Sequence, residues 1–329
     1  MSDKNLEFLL TEYEQKRRKA EMDLEHRKEE LYKKIPRLQE IEIEINKISI
    51  NKAKFILVNN SNIEDLEKEV QKLKKEKEDI LKKENIDCSF FKPTYECHIC
   101  KDTGYFLDKN NKTIMCSCLK QNLLNDLYNK SNLSNLDKEN FKNFNEKIFS
   151  DKIIPGFGCS PRDNIINIKN ASLNFIENFD DENTKSLVFT GNTGLGKSYM
   201  SNCIANELLK KGKTVLYQTA PVLLETIIDN KFNKYKTNKT NDFYNEILDV
   251  DLLIIDDFVT EYLNAMKLSE LFTIINTRIL NLNKVTRTII STNLSIKDIF
   301  NIYEERIGSR LAKYYNWYQF FGEDLRLKH

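Results

Sequence analysis

Gly191-Asn192-Thr193-Gly194-Leu195-Gly196-Lys197-Ser198 is a complete G-x-x-x-x-G-K-S, preceded by the apolar run Leu187-Val188-Phe189-Thr190 and followed by a helical stretch from Tyr199 to Lys211. The chemistry open to such a segment is phosphate binding. Its glycines let consecutive backbone N–H groups curl around phosphate oxygens, and the helix start, where Tyr199 sits, adds partial positive charge. Lys197 reaches the β- and γ-phosphates of ATP, or the β-phosphate of ADP, and Ser198 places a hydroxyl on Mg²⁺. Thr193 and Leu195 contribute backbone rather than side-chain chemistry.

Three further segments carry groups that such a site needs. Leu252-Leu253-Ile254-Ile255-Asp256-Asp257 reads as a buried strand ending in two carboxylates, with Asp256 for the metal and Asp257 to polarise an attacking water. The competing reading is a pair of solvated turn aspartates. Thr286 to Asn293 reads as another strand, whose Asn293 would hold the water or the γ-phosphate; alone, an Asn there is an ordinary turn residue. Glu305 to Leu311 puts Arg306 and Arg310 on one helix face. They are either surface partners of Glu304 and Glu305, or one of them enters the ATP site of a neighbouring subunit and stabilises charge on the γ-phosphate. The second reading requires an oligomer.

Cys97-His98-Ile99-Cys100 and Cys116-Ser117-Cys118 flank a plausible hairpin, Tyr105 to Leu107 and Thr113 to Met115 around an Asp108 to Asn111 turn. Four converging thiolates match a closed structural Zn²⁺ site; C-x-x-C is a common knuckle spacing and C-x-C a rarer one. Redox-active cysteines and buried unliganded ones are the rivals, and His98 is awkwardly placed as a substitute ligand. Cys88, Cys159 and Cys203 read as packing residues.

The elements that must position these groups follow from composition. The chain has 329 residues, with 51 Lys+Arg against 50 Asp+Glu and 31% charged residues, which suggests two units and excludes a strongly basic nucleic-acid coat. No run of eighteen apolar residues and no signal-peptide core is present, so a cytoplasmic protein without membrane attachment is expected. Residues 1–85 hold twenty basic and twenty acidic side chains, lack Gly and contain only Pro36, which predicts three helices broken near Pro36 and around Asn59 to Asn62. In the last, Ser61 and Glu64 can form a capping box, and Ile63, Leu66, Val70, Leu73 and Ile80 form a coiled-coil-like stripe interrupted by Lys77. These helices either pack on one another or dock a partner protein. Residues 86–130 form a small Cys-bearing module, 131–160 a polar linker containing the main domain boundary, and 161–329 an α/β domain with a parallel sheet built on runs at 186–190, 214–218, 252–255 and 286–291.

Taken together, Gly191 to Ser198, Ile254 to Asp257, Ile290 to Asn293 and Glu305 to Leu311 resemble the DnaC/DnaI-type bacterial helicase loaders within the AAA+ ATPases. The Cys97 to Cys118 module followed by Leu119-Lys120-Gln121 resembles the version in low-GC Gram-positive bacteria and their phages. The resemblance implies an AAA+ P-loop ATPase that oligomerises through its ATP site, binds single-stranded DNA, and loads a hexameric replicative helicase that its N-terminal region holds. It implies that Lys197 and Ser198 bind nucleotide and Mg²⁺, that Asp256 and Asp257 end the Walker B strand, that Asn293 is sensor one, and that Arg310, then Arg306, is the arginine finger. Arg326 is a candidate sensor two. Only nineteen residues follow Arg310, too few for a helical lid, so an isolated monomer should turn ATP over weakly.

For DNA contact, the segment between Pro221 and Leu248 offers Lys231, Lys234, Lys236 and Lys239 beside Phe232, Tyr235, Phe243 and Tyr244. Asp229, Asp242, Glu246 and Asp249 dilute it, and a solvated helix pair is the alternative. Tyr314 to Phe321 reads as a core-closing strand rather than a stacking surface. An IstB-like transposition ATPase shares nearly all the AAA+ motifs, and a zinc-containing adaptor that binds nucleotide without turnover is a third reading.

Overall fold

The computed structural model describes residues 3–57, 63–125, 133, 135–232, 240–258 and 264–327. The chain divides into two compact units, one of residues 7–114 and one of residues 115–329 together with 1–6. Ser61 of the expected capping box lies outside the described residues.

Helix α1 (Asp3–Lys34) ends before Pro36, which opens α2 (Pro36–Leu57), and α3 (Ile63–Lys83) follows. Three helices thus form where the sequence predicts them, because Pro at a first helical position costs no hydrogen bond whereas Pro inside a helix does. Leu38 and Ile41 of α2 are fully buried, and Leu31, Leu38 and Leu81 make a small core with Ile80, Phe90 and Phe91. Lys77, the charge that interrupts the α3 stripe, is satisfied in place. Its ammonium donates to Glu42, which also accepts the Tyr32 hydroxyl at 2.5 Å, and lies 4.0 Å from the Phe91 ring centroid. Arg37 reaches Glu76 with Nε at 2.8 Å, joining α2 to α3 a second time.

Next comes a short hairpin, β1 (Tyr105–Leu107) and β2 (Thr113–Met115), at the expected bounds. Asp108 builds its turn by accepting backbone N–H bonds from Asn110 and Lys112, both at 2.8 Å. Helix α4 (Ser117–Leu124) then buries Leu119, Leu123 and Leu124.

The α/β unit contains α5 (Pro161–Glu177), β3 (Ser186–Thr190), α6 (Lys197–Lys210), β4 (Val215–Thr219), α7 (Ala220–Phe232), α8 (Thr240–Asp249), β5 (Leu252–Asp256), α9 (Ala265–Ile279), β6 (Arg287–Thr292), α10 (Ile296–Ile302), α11 (Glu304–Tyr314) and β7 (Tyr315–Gln319). Its five strands are all parallel, in the order β4-β5-β6-β3-β7. The near-continuous apolar runs are explained by burial on both faces. Leu187, Phe189, Val215, Leu252, Ile254 and Ile289 join the core cluster that includes α5 and α6, whereas their alternates Val188, Leu216, Leu253, Ile255 and Ile290 join the one that includes α7 to α11. The aromatic run after α11 is a strand that closes the sheet beside β3.

Two arrangements escape the sequence pattern. Of the stretch expected as a linker, 131–160, several described residues join this core: Phe149 is buried in it and Leu133, Leu136, Phe141 and Phe144 pack against it. Its apolar anchors are aromatic and irregularly spaced among Asn and Lys, so they match neither helical nor strand periodicity. Arg278, only 3% exposed, donates to the carbonyls of Ile247, Val250 and Arg287 at 2.7, 2.9 and 2.7 Å. It thereby ties the end of α8 and the starts of β5 and β6 together. At the outer edge of the sheet, the Gln121 side-chain amide accepts from Val215 N at 2.7 Å and donates to Val215 O at 2.9 Å.

Candidate functional site

Strand β3 delivers its last residue to the glycine-rich loop, and Gly196, with φ +91°, turns the chain into α6. Lys197 Nζ donates to the carbonyls of Gly191 at 2.6 Å and Asn192 at 2.7 Å, so the ammonium sits within the curl of the loop. Burial pushes it below the ordinary lysine value; Asp256 and Asp257 oppose that shift and Arg326 adds to it. Thr193, Gly194, Leu195, Gly196, Lys197, Ser198 and Tyr199 line a cavity of about 750 Å³, within the range of small-molecule sites.

The parallel sheet places the other groups, because the loops at the carboxyl ends of its strands gather on one edge. Asp256 ends β5 and Asp257 leaves it with φ +51°, and both line the cavity. Asp256 Oδ2 accepts the Ser198 hydroxyl at 2.7 Å and the Tyr217 hydroxyl at 2.5 Å, while Oδ1 accepts Asp257 N at 2.9 Å. A carboxylate and a hydroxyl at this separation are hard oxygen donors of the kind Mg²⁺ takes. Tyr217 is a site residue that sequence reasoning misses. Its signal is a hydroxyl inside an apolar strand, 4% exposed and therefore in need of a partner. Burial, with the Asp256 charge adding to it, drives that hydroxyl far above the ordinary tyrosine value, so it stays a donor.

The far end of the cavity is built by the stretch before α5. Asn143, Phe144, Asn145, Ile148 and Phe149 line it, and the Phe144 ring lies 6.3 Å from Phe149 and 5.9 Å from Tyr199. Helix α6 holds this stretch: Asn202 Nδ2 donates to Glu139 at 2.5 Å and Asn206 Nδ2 to the Leu136 carbonyl at 2.6 Å. Aromatic faces with side-chain amides beside them suit a planar, hydrogen-bonding base.

Strand β6 lies between β3 and β5, so its end does sit between the phosphate loop and Asp256. The cavity-lining residue there is Ser291, however, whereas Asn293 is exposed and does not line it. The reason is local. Thr292 Oγ1 donates to the Phe258 carbonyl at 2.5 Å and accepts Leu294 N at 3.1 Å, which turns the chain before Asn293. Arg306 is exposed on α11, and Arg310 is anchored on α9, with Nε 2.7 Å from Asn276 Oδ1 and its guanidinium 4.5 Å from the Phe272 centroid. Neither lines this chain's own cavity, which Arg326 does. In the segment considered for DNA, Lys231 pairs with Glu270 at 2.5 Å and its ammonium lies 5.6 Å from the Tyr244 ring centroid. Lys234, Tyr235, Lys236 and Lys239 lie outside the described residues.

A family model for the bacterial DnaA ATPase domain matches residues 164–315. The replicative helicase loader DnaC of Escherichia coli (strain K12) is 34% identical over 92 residues, 28% of this chain and 36% of that protein. Over that stretch the chain is similar to the DnaC-type helicase loaders. It is also 24% identical, over 66% of its length and 78% of the other's, to the phage-like element PBSX protein XkdC of Bacillus subtilis (strain 168). The solved structure of the DnaC helicase loader superimposes with a TM-score of 0.43 at 20% identity, covering 54% of this chain and 96% of that one. Residues 164–315 are therefore similar to an ATPase domain of the DnaA type. The chain spans about a third of the length of the DnaC proteins it matches.

Outside residues 164–315, Cys97, Cys100, Cys116 and Cys118 come together, their Sγ atoms all within 4.8 Å of one another. A tetrahedral Zn²⁺ with Zn–S of about 2.3 Å needs thiolates roughly 3.8 Å apart, so small side-chain adjustments suffice. Asp102, 3% exposed, shapes the C-x-x-C turn by accepting Glu96 N at 2.9 Å and Cys97 N at 2.8 Å. Thr103 Oγ1 donates to the Cys100 carbonyl at 2.7 Å. His98 is exposed, and among the other cysteines Cys203 is buried, its thiol pushed up to about 12 by burial. No described helix is long and apolar enough to cross a membrane.

Proposed function

We propose that this chain is an ATP-dependent loader of a hexameric replicative helicase onto single-stranded DNA, in which ATP binding and hydrolysis drive assembly and release of a self-oligomer. The observation that carries the reading is the convergence of Lys197, Ser198, Asp256 and Asp257 on one cavity in a chain related to DnaC-type loaders. Lys197 holds the β- and γ-phosphates, with Gly191 to Tyr199 cradling them. Ser198 and Asp256 hold Mg²⁺, which supplies neutralisation of charge on the phosphates. Asp257 orients and polarises the attacking water. Ser291, at the end of the strand between them, takes the position facing the γ-phosphate that Asn293 does not occupy.

Arg310 acts on the neighbouring subunit's nucleotide. Its hold on Asn276 and Phe272 pre-sets the guanidinium, which favours it over the exposed Arg306. Residues 1–85 bind the helicase, and Cys97, Cys100, Cys116 and Cys118 hold a structural Zn²⁺. The protein works in the cytoplasm.

The test is co-purification of the full chain with a hexameric replicative helicase, with and without ATP. ATP-dependent retention is expected, together with single-stranded-DNA-stimulated phosphate release that Asp257→Asn abolishes while leaving ATP binding intact. A chain that neither retains the helicase nor hydrolyses ATP in its presence overturns the reading.

A further inference from the structure

The segment after β7 is laid directly on the phosphate loop. Phe320 N donates to the Thr190 carbonyl at 2.7 Å, and Leu325 N to the Gly194 carbonyl at 3.0 Å. The approach is tightest at two loop glycines, whose φ of +133° and +76° already favour glycine. A β-carbon at Gly191 would fall 2.1 Å from the Phe320 carbonyl oxygen, and one at Gly194 would fall 1.8 Å from Asp324 Oδ1 and 2.5 Å from Oδ2. Those distances lie far inside van der Waals contact, so the Asp324 carboxylate sits in the space a β-carbon at 194 would take.

Seated there, the carboxylate faces Arg326 edge-on. Arg326 Nε lies 3.2 Å from Oδ1 and Nη2 3.0 Å from Oδ2, and the Arg326 backbone N–H also donates to Oδ1 at 2.9 Å. A two-point contact of this kind fixes the plane of the guanidinium as well as its position. Arg326 lines the cavity with Lys197, and its charge acts on that ammonium. The Asp324 and Arg326 side chains are 29% and 66% exposed, so the pair contributes little to stability. Its consequence is where it aims a cation.

We propose that Asp324 is a positioning residue: lodged against Gly194, it holds the Arg326 guanidinium in the nucleotide cavity, so that the phosphate loop and residues 320–326 recognise a nucleoside triphosphate as one unit. This rests on the reading of the cavity as an ATP site.

The experiment measures Kd for fluorescent ATP and ADP analogues in the full-length chain and in Asp324→Ala, Asp324→Asn, Arg326→Ala and the double variant, beside thermal unfolding of each. Expected are a roughly tenfold loss of ATP affinity in Asp324→Ala and in Arg326→Ala, the size of one charge-assisted hydrogen bond. ADP affinity should fall less, the double variant should be no weaker than Arg326→Ala, and Tm should stay unchanged. Asp324→Asn, which keeps the acceptor for Arg326 N but loses the ion pair, should fall between. Additive losses, or unchanged ATP affinity in Asp324→Ala with wild-type binding intact, overturn the proposal. A wild-type chain that binds neither nucleotide overturns the ATP-site reading itself, and the proposal with it.

Discussion

The Tyr217 hydroxyl donates to Asp256 Oδ2 at 2.5 Å, from a strand adjacent to the one that carries Asp256. The carboxylate offered to a metal is therefore oriented by a buried phenol as well as by Ser198. Removing that hydroxyl costs about 1 kcal/mol of orientation, the worth of one hydrogen bond. Tyr217→Phe should raise the Mg²⁺ concentration for half-maximal ATP hydrolysis about fivefold at unchanged Tm, read from Mg²⁺ titrations of phosphate release. An unaltered Mg²⁺ dependence would show that the contact has no part in metal binding.

Lys197 is held below the ordinary lysine value of 10.5 by burial. A depressed base loses its proton earlier as pH rises, and a phosphate placed against it restores the charged form. ATP binding should consequently take up protons on the alkaline side, beginning below pH 10.5, and should need none near neutrality. Calorimetry in buffers of different ionisation enthalpy measures this uptake, which Lys197→Arg should abolish.

Arg278 is buried with its guanidinium spread over backbone carbonyls from α8, from the turn before β5 and from β6. Arg278→Met leaves those carbonyls without donors and should destabilise the α/β unit by about 3 kcal/mol or more. Arg278→Lys should recover only part of it, since an ammonium cannot span the same carbonyls. Urea unfolding midpoints decide the matter.

Four thiols within 4.8 Å of one another should bind about one Zn²⁺ per chain as purified. Cys100→Ser should lower the zinc content and speed its release to a chelator. Elemental analysis finding no zinc, and no uptake on reconstitution, would sink the closed-site reading.

How much of this was legible in the sequence depends on whether a residue's role is local. Gly191 to Ser198 and the hairpin around Asp108 to Asn111 are local, and their spacing and turn chemistry suffice to place them. Asp256 and Asp257 follow from one strand and its end. Phe144 lines the cavity and Tyr217 bonds Asp256 at its edge from separate places in the chain, and only the strand order and the docking of 135–149 on α6 bring them together. Lys77 looks like a flaw in an apolar stripe until Glu42 and Phe91 are beside it. Asn293 is the opposite case: a two-bond turn at Thr292 leaves it exposed and out of the cavity lining, and no periodicity reveals such a turn.

The pair of hydrogen bonds between Gln121 and Val215 has a bearing on how the protein keeps to itself. Strand β4 is the outermost strand on its side, and an outermost strand presents a row of main-chain groups that another chain can pair with. At Val215 both groups are already taken by one amide, which imitates a neighbouring peptide unit and then stops. A single side chain in this way acts as a terminator for sheet growth at that position, and one open-ended mode of self-association is closed off there.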